Sequence, residues 1–309
     1  MLRAVVVSNM LPDLDHPERG RFVRDQVQAL RALGDLEVEL YEFPPGAPAL
    51  FQATRELHTR YRGEHLDVVH AHFGLSAWPA LAVKAKARAL TVHGTDVHHP
   101  RTRQTTRAVL PLMDLVAAAS APLAADIPGA KARMRAMVLP CGVDMERFRP
   151  IPRTHARAEL GLDPNIPYLL FSADPARPSK RFDRAQALAD DRITLLTLGG
   201  IDPEQVPLWI NAANAVIVPS EREGFGLAVL EALACDVPVL ATPVGVHQEV
   251  LDGLDGTLCA PFELPEWQAT LKPHIHARDP RVAGRQRVEP FSAERMAQRV
   301  AAAWRALQV

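Results

Sequence analysis

Short apolar runs alternate along the chain with longer segments whose apolar residues recur at helical spacing. The runs are rich in Val, Leu and Ala, which is typical of buried strands in a parallel sheet. In the first half, strands are predicted at Arg3–Asn9, Leu36–Phe43, Asp67–Ala71, Leu90–His93, Asp114–Ala118 and Ala136–Pro140. Helices are predicted between them at Arg21–Leu33, near Ala49–Arg62 and near Ala77–Ala87.

The second half repeats this alternation. Strands are predicted at Tyr168–Ser172, Ile193–Leu198, Ala215–Val218 and Val237–Ala241, and helices at Phe182–Leu188, Pro203–Ala213 and Gly226–Ala234. Strands separated by helices predict the α/β class, with two Rossmann-like, doubly wound domains. We place the first domain at residues 1–150 and the second at 151–290. An amphipathic helix at residues 291–309 is expected to cross back to the first domain.

Composition narrows the functional class. The chain has 309 residues, 48% of them hydrophobic and 23% charged, and a net charge of −1. These values fit a globular protein of two domains with no overall field that would attract nucleic acid. The cysteines Cys141, Cys235 and Cys259 lie far apart, so neither a disulfide framework nor a zinc site is indicated. The sequence shows no signal peptide or membrane-spanning segment, and we expect a cytoplasmic protein.

Two common nucleotide-binding motifs are absent from the sequence. The first predicted strand is followed by SNMLPDLDHPERG instead of GxGxxG, and no GxxxxGK[ST] occurs. Two doubly wound domains would place the loops after their strands in one cleft, which is where α/β proteins of this kind bind their ligands. That cleft is therefore expected to hold its ligand in another way.

The strongest candidate for this role is the segment at residues 219–245. Glu223 and Glu231 lie eight residues apart, and Gly224 and Gly226 stand between them at the start of a predicted helix. Free N–H groups at a helix start suit a phosphate, whereas carboxylates there would repel it. The two carboxylates make sense as hydrogen-bond acceptors for hydroxyls on either side of a diphosphate. This arrangement favours a ligand with the order sugar, diphosphate, ribose.

The same segment resembles the E-x7-E motif of the retaining, nucleotide-sugar-dependent glycosyltransferases of family 4, also called group 1. The resemblance implies the GT-B fold, in which two Rossmann-like domains face a central cleft. It also implies that Glu223 binds hydroxyls of the donor sugar and that Glu231 binds the ribose. The donor-binding residues Gly224, Phe225, Gly226 and Leu227 follow from the same motif.

Further segments match the family in part. Lys180 corresponds to the lysine that neutralises the diphosphate, where a cation stabilises the charge of the leaving group. The family arginine expected in a Gly-Arg pair is absent, since Ala173 and Asp174 stand there. Arg177, in the longer loop that follows, is the candidate for its replacement.

In the first half, His93 precedes a glycine after a predicted strand and resembles the family histidine that faces the donor sugar. His93, Glu223 and Lys180 are therefore the expected catalytic residues. Asp96 either orients His93 or caps the next helix. His72 ends another strand beside His70, which leaves open an acceptor contact, a metal site or a structural role.

The loop after the first strand ends in Gly20 and Arg21. It resembles a family loop in which a glycine before a helix approaches the donor phosphate or the acceptor. Arg21 lies at the same point and is otherwise a charge on the helix surface. The segment around Cys141 resembles the string that ends the first domain and is read as structural.

The resemblance implies transfer of a hexosyl unit from a UDP- or GDP-sugar to an acceptor hydroxyl. It favours front-face attack with retention, and neither a metal nor another cofactor is expected. The acceptor is open among lipid-linked sugars, polysaccharides and small molecules, with cell-envelope assembly as our default. Basic clusters at Arg101–Arg107 and Lys131–Arg135 allow peripheral contact with the inner face of a membrane. The alternatives are a non-catalytic nucleotide-sugar-binding protein or subunit and a sugar-nucleotide epimerase of the same fold.

Overall fold

We describe residues 1–308 of the chain from a computed structural model. The described residues form two units, 1–142 with 293–308 and 143–292. The first unit thus ends before residue 150 and takes in the C-terminal helix. Its elements are β1 Leu2–Ser8, α1 Arg21–Ala32, β2 Leu36–Glu42, α2 Ala47–Arg60, β3 Leu66–His72, α3 Gly74–Ala80, β4 Ala85–Val92, α4 Thr95–His98, α5 Pro100–Val109, β5 Leu115–Ala118, α6 Ala121–Ala125, α7 Ala130–Met134 and β6 Met137–Val138.

The second unit is built from shorter elements. They are α8 Arg153–Glu159, β7 Tyr168–Phe171, α9 Phe182–Leu188, β8 Thr194–Thr197, α10 Val206–Ala212, β9 Ala215–Val218, α11 Leu227–Ala234, β10 Val239–Ala241, α12 His247–Leu251, β11 Leu258–Cys259, α13 Leu264–His276 and α14 Arg285–Val288. The chain then returns to the first unit as α15, Ala293–Ala306.

Each unit has one parallel sheet. The first has the order β2-β1-β3-β4-β5-β6 and the second β11-β10-β9-β7-β8. The order reverses between β1 and β3 in the first sheet and between β9 and β7 in the second. In an open α/β sheet, such a switch point is where loops diverge and ligands bind beyond the carboxyl ends of the strands. The topology therefore marks the loops after β1, β3, β7 and β9 as the places to look for a site.

Burial explains why the apolar runs form strands. Residues 4–8 of β1 are buried throughout, and β5, β7, β9 and β10 are buried along their whole length. Such strands need helices on both faces. On one face of the first sheet, α1 contributes Val23, Val27 and Leu30, and α15 packs against it with Val300 and Trp304.

Arginines hold together the start of the second unit, which sequence patterns did not predict. The Arg285 guanidinium donates to the carbonyl oxygens of Met145 and Phe148, and that of Arg281 donates to the carbonyl of Ile151. This segment has few backbone partners in regular structure, and the side chains supply them.

One predicted element is wrong. The helix expected near Ala77–Ala87 ends at Ala80, and residues from Ala85 onward form β4 instead. Ala85, Lys86 and Ala87 are good helix formers, but β3 offers them a full ladder of parallel pairing. Tertiary pairing overrides local propensity here.

Candidate functional site

The second unit brings together two loops that are far apart in sequence. One follows β7 and carries Lys180 in a single turn of 3-10 helix, and the other follows β9 and carries Glu223. Because β7 and β9 are neighbours at the switch point, their carboxyl ends lie side by side.

Lys180 and Glu223 form an ion pair in which the ammonium contacts both carboxylate oxygens. Nζ of Lys180 lies 2.6 Å from Oε1 and 2.8 Å from Oε2 of Glu223, and the side chains are only 14% and 10% exposed. The hydroxyl of Ser220 donates a third hydrogen bond to Oε1 at 2.7 Å. Burial raises the pKa of Glu223, but the charge and hydrogen bond of Lys180, together with His247 and Ser220, outweigh this effect, and the net pKa lies below its ordinary value. The carboxylate is therefore ionised and ready to accept hydrogen bonds.

Glycine is required where this loop enters α11. Gly226 caps the helix with φ of +110°, and a Cβ atom there would lie 2.5 Å from Nε2 of His247. Gly245, with φ of +61°, would place a Cβ atom 2.2 Å from the carbonyl oxygen of Phe225. Two segments of backbone thus pack directly on each other, which keeps the helix start open and fixed.

His247 is fully buried beneath this helix start. Its Nδ1 lies 2.8 Å from the carbonyl oxygen of Thr242, which can only accept, so Nδ1 carries a proton. Nε2 has no hydrogen-bond partner. Burial lowers the pKa of His247, although the nearby Glu223 carboxylate opposes the shift. The sequence gives no signal for a role of the His247 and Ser220 side chains, because neither stands out by spacing.

The remaining predicted donor-binding residues lie around the same helix. Leu227 is the first residue of α11, and Glu231 lies one turn further along with intermediate burial. Gly224 and Phe225 form the loop before it, and the ring of Phe225 is buried against Phe291.

Arg177 lies apart from these contacts. It is exposed in the loop after β7, just before the turn that carries Lys180. Its guanidinium has no partner among the described residues.

In the first unit, the ends of β3 and β4 bring His72 and His93 together. The strands are neighbours, and Nδ1 of His72 lies 2.9 Å from Nε2 of His93. On its other side, Nε2 of His72 lies 3.2 Å from the amide nitrogen of Gln26 on α1. Burial lowers the pKa of His93 to about 3, with a smaller effect of His70, and lowers that of His72 well below its ordinary value. Both rings are therefore neutral.

Two phenylalanines hold the His93 ring. The Phe22 and Phe73 ring centroids lie 4.8 Å and 4.7 Å from that of His93. Phe73 has φ of +71°, which a residue with a bulky side chain rarely adopts. Such strain persists where the surroundings require it and is concentrated at functional sites.

Asp96 anchors the backbone of the loop that carries His93. Its Oδ1 accepts hydrogen bonds from the N–H groups of His93 and Gly94, each at 3.0 Å, and Oδ2 accepts one from Gly74 at 3.2 Å. The carboxylate thus makes no contact with the His93 imidazole. Burial raises the pKa of Asp96 to about 6, against the opposing effect of these backbone hydrogen bonds.

Gly20 and Arg21 begin α1 beyond the end of β1. Gly20 has φ of +72°, and a Cβ atom there would lie 2.4 Å from the carbonyl oxygen of Met10. Its lack of a side chain is thus explained by packing within the loop. The Arg21 guanidinium pairs with Asp25 one turn along the helix at 2.7 Å.

The described residues hold no group of three or more His, Cys, Asp or Glu side chains arranged to bind a metal ion. Across residues 1–308, every helix is too short or too polar to cross a membrane.

Comparison with solved structures identifies the fold. The structure of sucrose-phosphate synthase from Thermosynechococcus elongatus matches with a TM-score of 0.73 and 20% identity, covering 99% of both chains. That of Anabaena HepE in complex with UDP and glucose matches with a TM-score of 0.68 and 17% identity, covering 99% of this chain and 100% of that one. The protein therefore has the GT-B fold, as the sequence predicted.

Sequence comparison gives the family. Residues 5–147 match the model of glycosyltransferase family 4, and residues 161–272 match that of the group 1 glycosyl transferases. A D-inositol 3-phosphate glycosyltransferase from Geodermatophilus obscurus is 30% identical, over 86% of this chain and 72% of its own length. The chain belongs to glycosyltransferase family 4, and the resemblance found in its motifs is confirmed.

Proposed function

We propose that the protein transfers a hexosyl unit from a UDP- or GDP-sugar to an acceptor hydroxyl, with retention at the anomeric carbon. The observation that carries this proposal is the partly buried pair of Lys180 and Glu223 in the loops after β7 and β9. A cation that can bind phosphate lies beside a carboxylate that can accept hydrogen bonds from hydroxyls. This arrangement matches a ligand in which a diphosphate adjoins a sugar. Structures of Anabaena HepE contain UDP or UDP-glucose, which supports a nucleotide donor.

The roles proposed for these residues follow from their chemistry. Lys180 neutralises the diphosphate as it leaves, and the N–H groups at the start of α11 add a positive partial charge. Glu223 accepts hydrogen bonds from hydroxyls of the donor sugar, because its carboxylate is ionised. Glu231 binds the ribose, and Arg177 supplies the second cation. With these groups present, the reaction is proposed to proceed without a metal.

Front-face attack, in which the leaving phosphate takes the acceptor proton, is favoured over a covalent intermediate. Asp96 is the carboxylate in contact with the loop that carries His93, and its two oxygens accept three backbone hydrogen bonds. Because these hydrogen bonds engage both oxygens, Asp96 is a weak candidate for a nucleophile.

The test is calorimetry of the purified protein with UDP, GDP, UDP-glucose and GDP-mannose, first without metal and then with Mg²⁺. Binding of one nucleotide without metal, weakened in Lys180→Ala and Glu231→Ala, is the expected result. Binding that appears only with Mg²⁺ contradicts metal independence. Nucleotide-sugar binding without transfer to any acceptor would favour the alternative of a non-catalytic binding protein, and conversion of the sugar without transfer would favour an epimerase.

For the acceptor, we propose a cell-envelope glycan or glycolipid, reached by peripheral contact with the membrane. Met134 is 87% exposed on α7, and Met137 is exposed on the edge strand β6. Three exposed basic residues flank them, namely Lys131, Arg133 and Arg135. Apolar side chains ringed by cations suit a surface of anionic lipid.

This contact predicts co-sedimentation with vesicles that contain phosphatidylglycerol. Met134→Asp should abolish it. Phe51→Asp, an equally exposed position on α2, is the matched control and should leave it unchanged. Equal binding of wild type and Met134→Asp would refute the contact. The curated relatives are named for D-inositol 3-phosphate, so this compound belongs among the acceptors to be assayed.

A further inference from the structure

Two sets of hydrogen-bonded polar side chains meet at β3 in the first unit, where the rings of His70 and His72 stack with centroids 4.9 Å apart. The first set begins at Trp304, whose indole nitrogen lies 3.2 Å from Nδ1 of His70. An indole N–H can only donate, so Nδ1 of His70 accepts and the proton of this ring lies on Nε2. Nε2 in turn lies 2.8 Å from the hydroxyl of Thr91. His70 is thus fixed as one neutral tautomer.

The ring protons of His72 and His93 are assigned in the same way, starting from Gln26. The Gln26 amide nitrogen is a donor, so Nε2 of His72, at 3.2 Å, accepts from it. The remaining ring proton of His72 then lies on Nδ1, which donates to Nε2 of His93 at 2.9 Å. The two imidazole planes differ by 15°, with centroids 5.0 Å apart, as expected for rings joined edge to edge by a hydrogen bond. Nε2 of His93 therefore accepts, and the proton of His93 lies on Nδ1.

We propose that Gln26 and His72 are positioning residues that hold His93 as the neutral tautomer protonated on Nδ1, so that His93 donates a hydrogen bond to a substrate hydroxyl. The involvement of a sugar substrate rests on the proposed function, whereas the tautomer does not. Phe22 and Phe73 fix the ring plane, and Asp96 fixes the backbone. The tautomer, the ring plane and the backbone position of His93 are thus each restrained by different groups.

This arrangement gives His93 a defined chemistry. Nε2 of His93 is occupied as an acceptor from His72, and Nδ1 carries the proton. The neutral ring can therefore only donate a further hydrogen bond, and it has no free lone pair to remove a proton from an attacking hydroxyl. His93 is therefore a binding group for a hydroxyl oxygen and not a general base. Strong burial is consistent with this role, because it keeps the ring neutral over the physiological pH range.

The tautomer is measured by NMR on protein labelled with ¹⁵N-histidine. A protonated ring nitrogen and a bare one differ widely in ¹⁵N chemical shift, and His93→Gln identifies the His93 signals by their loss. The expected pattern is a proton on Nδ1 and a bare Nε2. A proton on Nε2 of His93 would overturn the proposal.

The hydrogen-bonded series Gln26–His72–His93, called the relay below, is tested with Gln26→Met. This variant keeps the approximate size of the side chain and removes its hydrogen-bond donor. In this variant, the ¹⁵N shifts of His93 should move toward the average of two exchanging tautomers. Gln28→Met, at an exposed position of the same helix, is the matched control and should leave them unchanged. Unchanged His93 shifts in a folded Gln26→Met protein would refute the role of Gln26, and thermal unfolding checks the fold.

Turnover connects the relay to the reaction. With the nucleotide sugar that binds in calorimetry, kcat/KM of Gln26→Met should fall by the same factor as the fraction of His93 protonated on Nδ1, which is about twofold for an equal mixture of tautomers. A shifted tautomer with unchanged kcat/KM would overturn the substrate contact of His93 while leaving the relay intact. If none of the four nucleotides binds, the proposed function fails, and the NMR result still decides the tautomer.

Discussion

Nζ of Lys180 lies within 2.8 Å of both carboxylate oxygens of Glu223, so each side chain neutralises the other. A diphosphate that binds Lys180 must compete with Glu223 for the ammonium group. Because Ser220 also donates to Glu223, the carboxylate retains one partner when the lysine turns toward a phosphate. Under the proposed function, the pair would couple the binding of a phosphate to the release of a hydrogen-bond acceptor for a sugar.

This coupling predicts opposite effects of Glu223→Gln on two ligands. The affinity for the nucleoside diphosphate should rise several-fold, on the order of 1 kcal/mol for a partly buried charge pair, because Lys180 is released. The affinity for the nucleotide sugar should fall about tenfold, since the charged acceptor for its hydroxyls is lost. Calorimetry with both ligands measures the difference. Glu221→Gln, in the same loop but exposed, is the control, and a parallel loss for both ligands would contradict the coupling.

Gly226→Ala is predicted to destabilise the second unit. The left-handed backbone costs about 1–2 kcal/mol for a residue with a Cβ atom, and the contact with His247 adds to it. Gly200→Ala, with φ of +72° and open space around its Cβ position, should lose only the backbone part. Urea unfolding measures both. In Gly226→Ala with His247→Ala, the loss should be smaller than the sum of the single losses, and simple additivity would refute the contact.

Arg177→Ala tests whether this residue replaces the missing family arginine. We expect nucleotide affinity to fall about tenfold, as for loss of a charge-assisted hydrogen bond. Arg192→Ala removes another exposed arginine of the same unit, one that pairs with Asp190, and should have no effect. Equal affinities of the two variants would leave Lys180 as the sole cation for the phosphates.

The buried histidines predict that the first unit loses stability in acid. Burial holds the pKa of His70 and of His93 at about 3 in the folded protein, whereas the unfolded value is near 6.5. Below pH 6.5 the unfolded chain binds more protons than the folded protein. The free energy of unfolding therefore decreases by about 1.4 kcal/mol for each histidine with every unit by which the pH is lowered. Asp96 acts in the opposite direction between about pH 6 and pH 4, because its carboxyl takes up a proton first in the folded state.

Urea unfolding from pH 4 to pH 7.5 measures this dependence. His70→Gln should reduce the number of protons taken up on unfolding by about one, since one neutral buried ring is removed. His65→Gln, at an exposed position of the same unit, should leave the slope unchanged. A slope unaffected by His70→Gln would show that His70 is not held neutral.

Local sequence signals were sufficient for most of the architecture. Buried strands such as Tyr168–Phe171 and Ala215–Val218 are continuous apolar runs, which few other structures can accommodate. The E-x7-E segment was found from two carboxylates on either side of glycines at a predicted helix start, and Lys180 from its match to the family lysine. Ala85–Val92 was partly misread, since its alanines and lysines favour a helix until β3 lies beside them.

By itself, the sequence determined the alternation of strands and helices, the two parallel sheets and the residue types available for chemistry, because these depend on local periodicity and composition. Only the tertiary structure decided which of those residues meet. Gln26, His72 and His93 come from three separate elements, and no spacing in the chain relates them. The same holds for the His247 imidazole beneath Gly226 and for the attachment of Asp96 to backbone instead of to a ring. Proton positions and charges depend on such contacts, since each hydrogen bond and each buried group acts through space.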